Sequence, residues 1–561
     1  MNKKKYMHIE FLVIFLAIAL AIKYQLPVLT NYYIINDDVR QHIYWMQQFH
    51  DSDLFKNGLL TEYAKRYQPW GFIFLYYLLS FIIDPITISR ILPIVLFAIS
   101  SLYLFKLVEY ITDSYAGFLA VLVFMITPTY MDRMLGGLPR AFGYPFMILF
   151  LYYLIKKEYL KSSLILVLQS LFYPMIFFVS AITYMLTFIK IENKKISLHK
   201  FFAKRNFFIY AMCISAFILC AKYILNRNTS IGTAVTRKQM IGDPVYYKGG
   251  RYPVLPTPPL LRELAVNVDK SISFPRWPWS RKMILVKSKI VKGSLMLSIV
   301  IFLFAFGIFR RKSLLPLEIF FLFLSSVLMF IIADSLLLKL FLPSRYLKYS
   351  IPIISLIAYS IIVYLLITQL KNARVRNVLK IIVFVFVLLS YNVKQNFRFA
   401  DMSRYKDLYK YLNSLPKDVM IAAPPRLADG IPAFAQRKVF INYELSHPFY
   451  GKYWEVIKER TVKFFNAYYS EDPLFIYNFC EENNIDYLVV SKSQFTKRYI
   501  MRDNIYIAPF SAYIRDIAKS RRNFVLKHIP EKNKLFIKGD TFVIKKDVLK
   551  KLIYLRNNDK W

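Results

Sequence analysis

Long apolar segments alternate with short basic segments over the first two thirds of the chain. Most of the apolar segments approach the roughly 20 residues that a helix needs to cross the hydrocarbon core of a bilayer. The segment 161–189 is too long for one simple span and contains Pro174, so we expect two short helices that meet at a kink. The apolar segments predict about eleven crossings; they are 9–29, 88–108, 114–131, 143–155, 161–189, 207–225, 291–309, 314–336, 346–369 and 378–394.

From about Asn396 the continuous hydrophobicity ends, and short apolar stretches alternate with amphipathic ones. The pattern indicates a polytopic α-helical membrane domain, residues 1–395, followed by an α/β domain, residues 396–561. In the second domain we expect strands over 418–423, 438–442 and 485–491, and helices over 405–414 and 472–483.

Short basic loops predict the orientation, because Lys and Arg are enriched on the cytoplasmic side of a membrane. We expect a plasma-membrane protein with its N-terminus and the loops 3–5, 156–157, 190–205, 310–312 and 371–380 in the cytoplasm. The external side then receives 30–87, 132–142, the long loop 226–290, 337–345 and the α/β domain. Within the loop 30–87, the segment 69–83 fits only as a re-entrant or interfacial helix. A full span there would move the basic loop 156–157 to the external side.

Composition narrows the class further. The 561 residues are 56% hydrophobic and carry a net charge of +41, and the basic residues cluster between spans, which indicates contact with anionic lipid rather than nucleic acid. Cys213, Cys220 and Cys480 lack metal-ligand spacing and are predicted to be structural. The six histidines form no HxxH or HExxH set, so the sequence gives little support to a zinc site. It also contains neither the GxGxxG nor the GxxxxGK[ST] loop that cradles nucleotide phosphates.

Two adjacent acids, Asp37 and Asp38, follow the first span, with Arg40 and His42 directly after them. Adjacent carboxylates repel each other, so in a partly desolvated cleft one pKa should rise. A carboxylate with a raised pKa suits a general base that takes a proton from a hydroxyl. The alternative is a pair of acids that only solvate a loop.

The next external loop, 132–140, offers Asp132, Arg133 and Arg140 around two glycines, which permit close backbone approach to a phosphate held by the arginines. A tight turn with snorkelling arginines is the alternative. Arg345, between two later spans, is a further candidate to pair a lipid-linked phosphate, although interfacial arginines also anchor helices.

Four weaker candidates complete the set of substrate-binding residues. Arg66 stands at the start of the proposed re-entrant helix, where membrane anchoring explains a cation equally well. Arg437, Glu444 and His447 are bunched after a predicted strand and could bind an acceptor or simply cap secondary structure.

These features together resemble the GT-C fold of membrane glycosyltransferases. They are carboxylates after the first span, an interfacial helix opened by Pro69, a second acidic motif one external loop later, many further spans and an external C-terminal domain. The superfamily includes protein O-mannosyltransferases, lipid A aminoarabinose transferases and the catalytic subunits of oligosaccharyltransferases. The resemblance covers nearly the whole chain in architecture, but its residue motifs are short.

The resemblance implies an inverting transferase that takes a sugar from a polyprenyl-phosphate-linked donor to an extracytoplasmic acceptor in the cell envelope. Asp37 or Asp38 would act as base or position the acceptor, Asp132 would be the second acidic motif, and Arg345 would bind the donor phosphate. The second motif has one acid rather than a DxD or DxE pair, so a divalent metal, Mg²⁺ or Mn²⁺, has no assigned ligands. There is no WWDYG-like run, so we do not expect glycosylation of protein asparagine.

Two other classes remain open at this stage. A transporter or flippase for a lipid-linked saccharide would place charged residues deep in the spans, near the bilayer midplane. A non-catalytic envelope assembly protein could retain the same fold without the chemistry.

Overall fold

The computed structural model describes residues 3–192, 195–198, 202–226, 231–272, 315–389, 397–502 and 505–557. The predicted span 291–309 lies outside these residues. So do the last residues of the loop 226–290.

Apolar helices make up the first part of the chain. In the described part, four helices are long and apolar enough to cross a membrane, His8–Thr30, Pro85–Ile111, Leu317–Ser335 and Pro343–Thr368. A fifth span results if Ser114–Ile126 and Pro128–Met134, which are bent by 66°, count as one. Five shorter apolar helices accompany them, so the expected eleven crossings are not confirmed.

The described part of the chain before residue 390 is mostly helical. Its helices are α1 Lys3–Thr30, α2 Val39–His42, α3 Leu59–Arg66, α4 Trp70–Ser80, α5 Pro85–Ile111, α6 Ser114–Ile126, α7 Pro128–Met134, α8 Gly143–Ile155, α9 Tyr159–Phe172, α10 Pro174–Leu186, α11 Phe202–Asn226, α12 Arg237–Met240, α13 Leu260–Asp269, α14 Leu317–Ser335, α15 Ser350–Thr368 and α16 Ala373–Leu389.

Local sequence explains where several of these helices begin and end. Asp84 caps α5, because its side chain accepts hydrogen bonds from the backbone amides of Ile86 and Thr87. The predicted break at Pro174 is confirmed: α9 ends at Phe172, Tyr173 is extended, and Pro174 opens α10, where its missing amide proton costs nothing.

The C-terminal domain contains a five-stranded sheet of β5 Met420–Ala422, β6 Lys438–Val439, β7 Tyr487–Ser491, β8 Phe536–Lys538 and β9 Thr541–Lys545. Their order in the sheet is β6-β5-β7-β9-β8. Strands β6, β5 and β7 are parallel, and β9 joins β7 and β8 antiparallel. The predicted strands and helices of this domain are confirmed within a few residues. The described strands outside this sheet are β1 Ile34–Asn36, β2 Ile189–Glu192, β3 Lys195–Leu198 and β4 Phe399–Asp401, of which only β4 belongs to the C-terminal domain. The remaining helices are α17 Lys406–Asn413, α18 Pro425–Ala428, α19 Ile431–Phe434, α20 Gly451–Tyr468, α21 Pro473–Glu482, α22 Lys497–Ile500, α23 Phe510–Ser520 and α24 Asp547–Asn557.

A short antiparallel ladder fastens the C-terminal domain to the first polar loop. Strand β1 pairs with β4, with Ile35 opposite Ala400. A second contact joins this loop to the C-terminal domain, where the rings of Tyr63 and Tyr453 stack with centroids 4.0 Å apart. The loop 30–87 and the α/β domain therefore lie on the same face of the helical bundle.

Helix α4 covers most of the segment 69–83 and has 11 residues. At 1.5 Å per residue it extends about 16 Å, half of the roughly 30 Å hydrocarbon core. Phe74 and Phe81 on and beside it are exposed. A re-entrant or interfacial placement stays a prediction, and the length of the helix agrees with it.

Candidate active site

The turn after β1 points Asp37 and Asp38 to different partners. Asn36 Oδ1 accepts a hydrogen bond from the backbone amide of Asp38 at 3.2 Å, which shapes the turn, and α2 begins at the next residue. Asp37 pairs with Arg40, whereas Asp38 pairs with Arg140. Each carboxylate therefore has its own arginine, and the two do not share one site.

The pair of Asp38 and Arg140 joins the first and second polar loops. Arg140 also lies 3.4 Å from Asn36 Oδ1, and Gly136, whose φ is +82°, packs directly against Asn36. The Asp38 side chain keeps 34% exposure, so this paired carboxylate remains accessible.

The expected rise in pKa is wrong for Asp38. Desolvation favours its protonated form, but the charges of Arg140, His42 and Arg345 and the hydrogen bond from Arg140 together hold the pKa of Asp38 well below its usual range. Asp38 is therefore ionised throughout the physiological range.

Arg40 instead lies in a buried network of acids. Its guanidinium contacts Glu444 at 3.2 Å and Asp429 at 3.8 Å in addition to Asp37. Arg251, from the segment 231–272, reaches the other oxygen of Glu444 at 3.4 Å. This network, which we call the Arg40 network, connects three separate stretches of chain on one face of the protein.

The raised pKa values belong to two acids of the Arg40 network. Burial, with repulsion from Asp429 and Asp37, raises the pKa of Glu444 to about 8. Burial likewise raises the pKa of Asp429 to about 6, against the attraction of Arg40. Gln41 links this network to Asp38, because its amide donates to Glu444 and lies 3.5 Å from Asp38 Oδ1.

His42 lies beside Asp38, with its Nδ1 2.5 Å from Gln68 Nε2 and its ring 5.1 Å from the ring of Tyr67. Desolvation and the charges of Arg140 and Arg345 lower the pKa of His42 to about 4, despite the attraction of Asp38. The imidazole is therefore neutral at pH 7.

Arg345 reaches the same region from the first turn of the candidate span Pro343–Thr368. Its charge contributes to the lowered pKa of both Asp38 and His42. The guanidinium lies 5.7 Å from the centroid of the Phe341 ring, and its Nε is buried with no hydrogen-bond partner among the described residues.

The remaining candidates form no ion pair with Asp38 or with the acids of the Arg40 network among the described residues. Asp132 and Arg133, on α7, are half-buried, and neither has a hydrogen bond or ion pair with a residue that the structure describes. Arg66 donates to the Gly232 carbonyl at 2.7 Å. Arg437 donates to backbone carbonyls of its own domain, including that of Leu415 at 3.0 Å, which favours a structural role.

His447, the last sequence candidate, joins the Arg40 network. Its Nε2 lies 3.2 Å from Arg251 Nη2, and its ring stacks on Phe449 at 4.9 Å. The sequence did not suggest Asp429, Arg251 or Gln41. Burial of an acid would have marked Asp429 as a candidate, but its burial is visible only in the folded protein.

The acids do not fit a metal site. Among the described residues, no group of three His, Cys, Asp or Glu side chains could hold a metal ion. Asp37 and Asp38 are each neutralised by an arginine, which competes with a cation for the same oxygens. No step of the chemistry below is assigned to a metal.

The structure resembles solved structures of the oligosaccharyltransferase of Archaeoglobus fulgidus. The apo form aligns with a TM-score of 0.45 at 11% identity over 88% of this chain and 70% of that one. The enzyme termed AglB, in complex with an inhibitory peptide and a dolichol-phosphate, gives 0.46 at 11% identity over 89% and 71%. A complex with Zn and sulfate gives 0.42 at 12% identity over 87% and 69%.

No protein-family profile matches the chain, and neither does any curated protein. At this identity and score, the likeness transfers neither activity nor residue roles to this chain.

Proposed function

We propose that this protein is a membrane glycosyltransferase that transfers a sugar from a polyprenyl-phosphate-linked donor to a hydroxyl acceptor. The observation that carries the proposal is Asp38, an accessible carboxylate that forms an ion pair with Arg140 and whose pKa is lowered further by the charge of Arg345. The reaction takes place on the face that bears the α/β domain.

The cations support a phosphate-bearing lipid as donor. Arg140 is balanced by Asp38, but Arg345 and Arg133 form no ion pair with a described acid. Arg345 opens a candidate span, which places it at headgroup depth, where the phosphate of a lipid carrier lies. Its planar guanidinium can donate two parallel hydrogen bonds to phosphate oxygens.

Asp38 supplies the acceptor chemistry. Its carboxylate accepts a hydrogen bond from the attacking hydroxyl and so positions the oxygen against the anomeric carbon. A new carbon–oxygen bond forms there, the bond to the phosphate oxygen breaks, and the phosphate leaves with the electron pair. The hydroxyl becomes strongly acidic as it bonds to carbon, so even a weak base such as Asp38 takes the proton late in the step.

The donor half of the proposal is tested by binding of a polyprenyl monophosphate that carries no sugar. The protein is embedded in nanodiscs, and Arg345→Ala is compared with Arg237→Ala, an exposed arginine that pairs with Asp334 on the same face. We expect Arg345→Ala to weaken binding about 10- to 100-fold, as loss of a charge-assisted contact does, and Arg237→Ala to leave it unchanged. Equal binding by both variants would contradict the proposed donor site.

A transfer assay separates the enzyme from a transporter. Proteoliposomes that contain the protein and a polyprenyl-phosphate hexose should release bare polyprenyl phosphate as sugar appears on a hydroxyl acceptor. A flippase would move the intact donor between leaflets without cleaving it.

A further inference from the structure

A group of aromatic rings lies beside Asp38 and borders the Arg40 network, because His447 belongs to both. Ring centroids are 5.1 Å apart between His42 and Tyr67, 5.2 Å between Tyr67 and Tyr63, and 6.0 Å between Tyr63 and His447. Tyr252 follows, with its ring 6.3 Å from that of His447. These five residues, which we call the aromatic cluster, come from the first loop, the segment 231–272 and the α/β domain.

Several buried polar atoms of this region have no hydrogen-bond partner in the described part of the chain. They are the hydroxyls of Tyr63 and Tyr67, Oε1 of Gln68 and Nδ1 of His447. Gln68 is only 1% exposed and His447 only 6%. Buried polar atoms are nearly always hydrogen-bonded in folded proteins, so four such atoms in one region indicate a place where a ligand supplies the partners.

The aromatic cluster is electrically neutral at physiological pH. Desolvation, reinforced by Arg251 and His42, keeps the pKa of His447 well below its ordinary value, while Asp38 opposes this shift only weakly. His42 is neutral for the same main reason. The remaining members are tyrosines, so the cluster itself carries no charge, while Arg345 borders it at Tyr252 and Arg251 borders it at His447.

We propose that the aromatic cluster, with Gln68, is a subsite for a neutral saccharide, namely the sugar carried by the lipid-linked donor. Aromatic rings pack on the apolar faces of a sugar ring, while hydroxyl, amide and imidazole groups exchange hydrogen bonds with its hydroxyls.

This inference rests on the proposed function and adds an orientation to it. The phosphate binds at the arginines and the sugar at the aromatic cluster. Asp38 forms an ion pair with Arg140 on the cationic side. On the aromatic side it interacts electrostatically with His42 and Tyr67. The bond between sugar and phosphate, which must break, therefore lies beside Asp38.

The test compares two lipids in nanodiscs, a polyprenyl monophosphate and the same lipid bearing a neutral hexose. Tyr67→Phe removes one hydroxyl and leaves the ring. Tyr359→Phe is the matched control, because that hydroxyl is also buried without a described partner but belongs to the span α15. We expect Tyr67→Phe to bind the hexosyl lipid about three- to tenfold more weakly and the bare lipid equally well, with the control unchanged for both.

Results that contradict the saccharide subsite can be told apart from results that contradict the proposed function. If Tyr67→Phe and a second variant, Tyr63→Phe, both bind the hexosyl lipid as the wild type does, the saccharide subsite is wrong while the donor proposal stands. Equal weakening for both lipids would show that the hydroxyl acts on structure alone and would also overturn the subsite. Failure of the wild type to bind the bare lipid would overturn the proposed function itself, and the subsite with it.

Discussion

Arg140 donates a hydrogen bond to the carboxylate of Asp38, 102 residues earlier in the chain. Two candidate membrane spans lie between these residues, α5 and the bent pair of α6 with α7. A contact between the two loops requires an even number of crossings from one to the other. Helix α4, between Asp38 and α5, therefore cannot cross if α5 and α6 both do.

Cysteine labelling can test this topology in a background without Cys213, Cys220 and Cys480. We expect single cysteines at Asp53 and Glu455 to react with a membrane-impermeant maleimide from the same side, and one at Lys157 to react only from the opposite side. All three positions are exposed. Labelling of Asp53→Cys and Lys157→Cys from one side would show that α4 crosses the membrane.

Gly136 keeps the second loop close to the turn that bears Asp38. A Cβ at this position would lie 2.9 Å from Asn36 Oδ1, and the φ of +82° adds strain for any other residue. Gly249 has a similar φ of +93° but open space around it. Gly136→Ala and Gly249→Ala should therefore each lose about 1 to 2 kcal/mol of stability from strain.

Only Gly136→Ala should also displace Asn36 and the paired Asp38. We expect its transfer rate to fall at least tenfold while Gly249→Ala retains nearly normal transfer, measured on folded protein at a temperature where both variants are stable. Equal rates in the two variants would mean that the contact with Asn36 does not position the site.

Glu444 should make stability depend on pH in the opposite sense to an ordinary surface acid. Its pKa is raised from 4.5 to about 8 in the folded protein, chiefly by burial. Below about pH 4.5 the acid is protonated in both states; between there and pH 8 the folded state holds a proton that the unfolded state has lost. The free energy of unfolding therefore falls as pH rises through this window.

The measurement is the apparent melting temperature of detergent-solubilised protein from pH 5 to pH 8.5. Glu444→Gln should show a smaller fall than the wild type, because the amide does not titrate. Glu455→Gln, an acid of α20 whose side chain is 70% exposed, should follow the wild type. Parallel curves for all three proteins would contradict the raised pKa.

The sequence predicted those parts of the fold that depend on local patterns. Apolar runs marked most of the described helices, and Pro174 marked a break, because a proline lacks the amide proton that a helix interior needs. Short apolar stretches that alternate with amphipathic ones predicted the α/β domain. The number of crossings was harder to predict, since several apolar helices are too short to span a bilayer alone.

The site was less predictable, because its electrostatics depend on partners far away in the chain. Asp37 and Asp38 were candidates because they follow the first predicted span. The lowered pKa of Asp38, however, comes chiefly from Arg140, which the sequence does not place beside it. Gln41 meets Glu444 across 403 positions. Asp429 is buried because its carboxylate accepts a hydrogen bond from the backbone amide of Glu444 at 2.8 Å and faces Arg40 at 3.8 Å, and both partners become neighbours only in the folded protein.

The most direct test of the account is sugar transfer by Asp38→Asn in proteoliposomes supplied with a polyprenyl-phosphate hexose and a hydroxyl acceptor. Asp53→Asn is the control, since that acid stands in the same loop, is 61% exposed and pairs only with Lys56 among the described residues. We predict that Asp38→Asn lowers the transfer rate at least about 100-fold while Asp53→Asn transfers normally. Transfer by folded Asp38→Asn at the wild-type rate would contradict the catalytic role of Asp38.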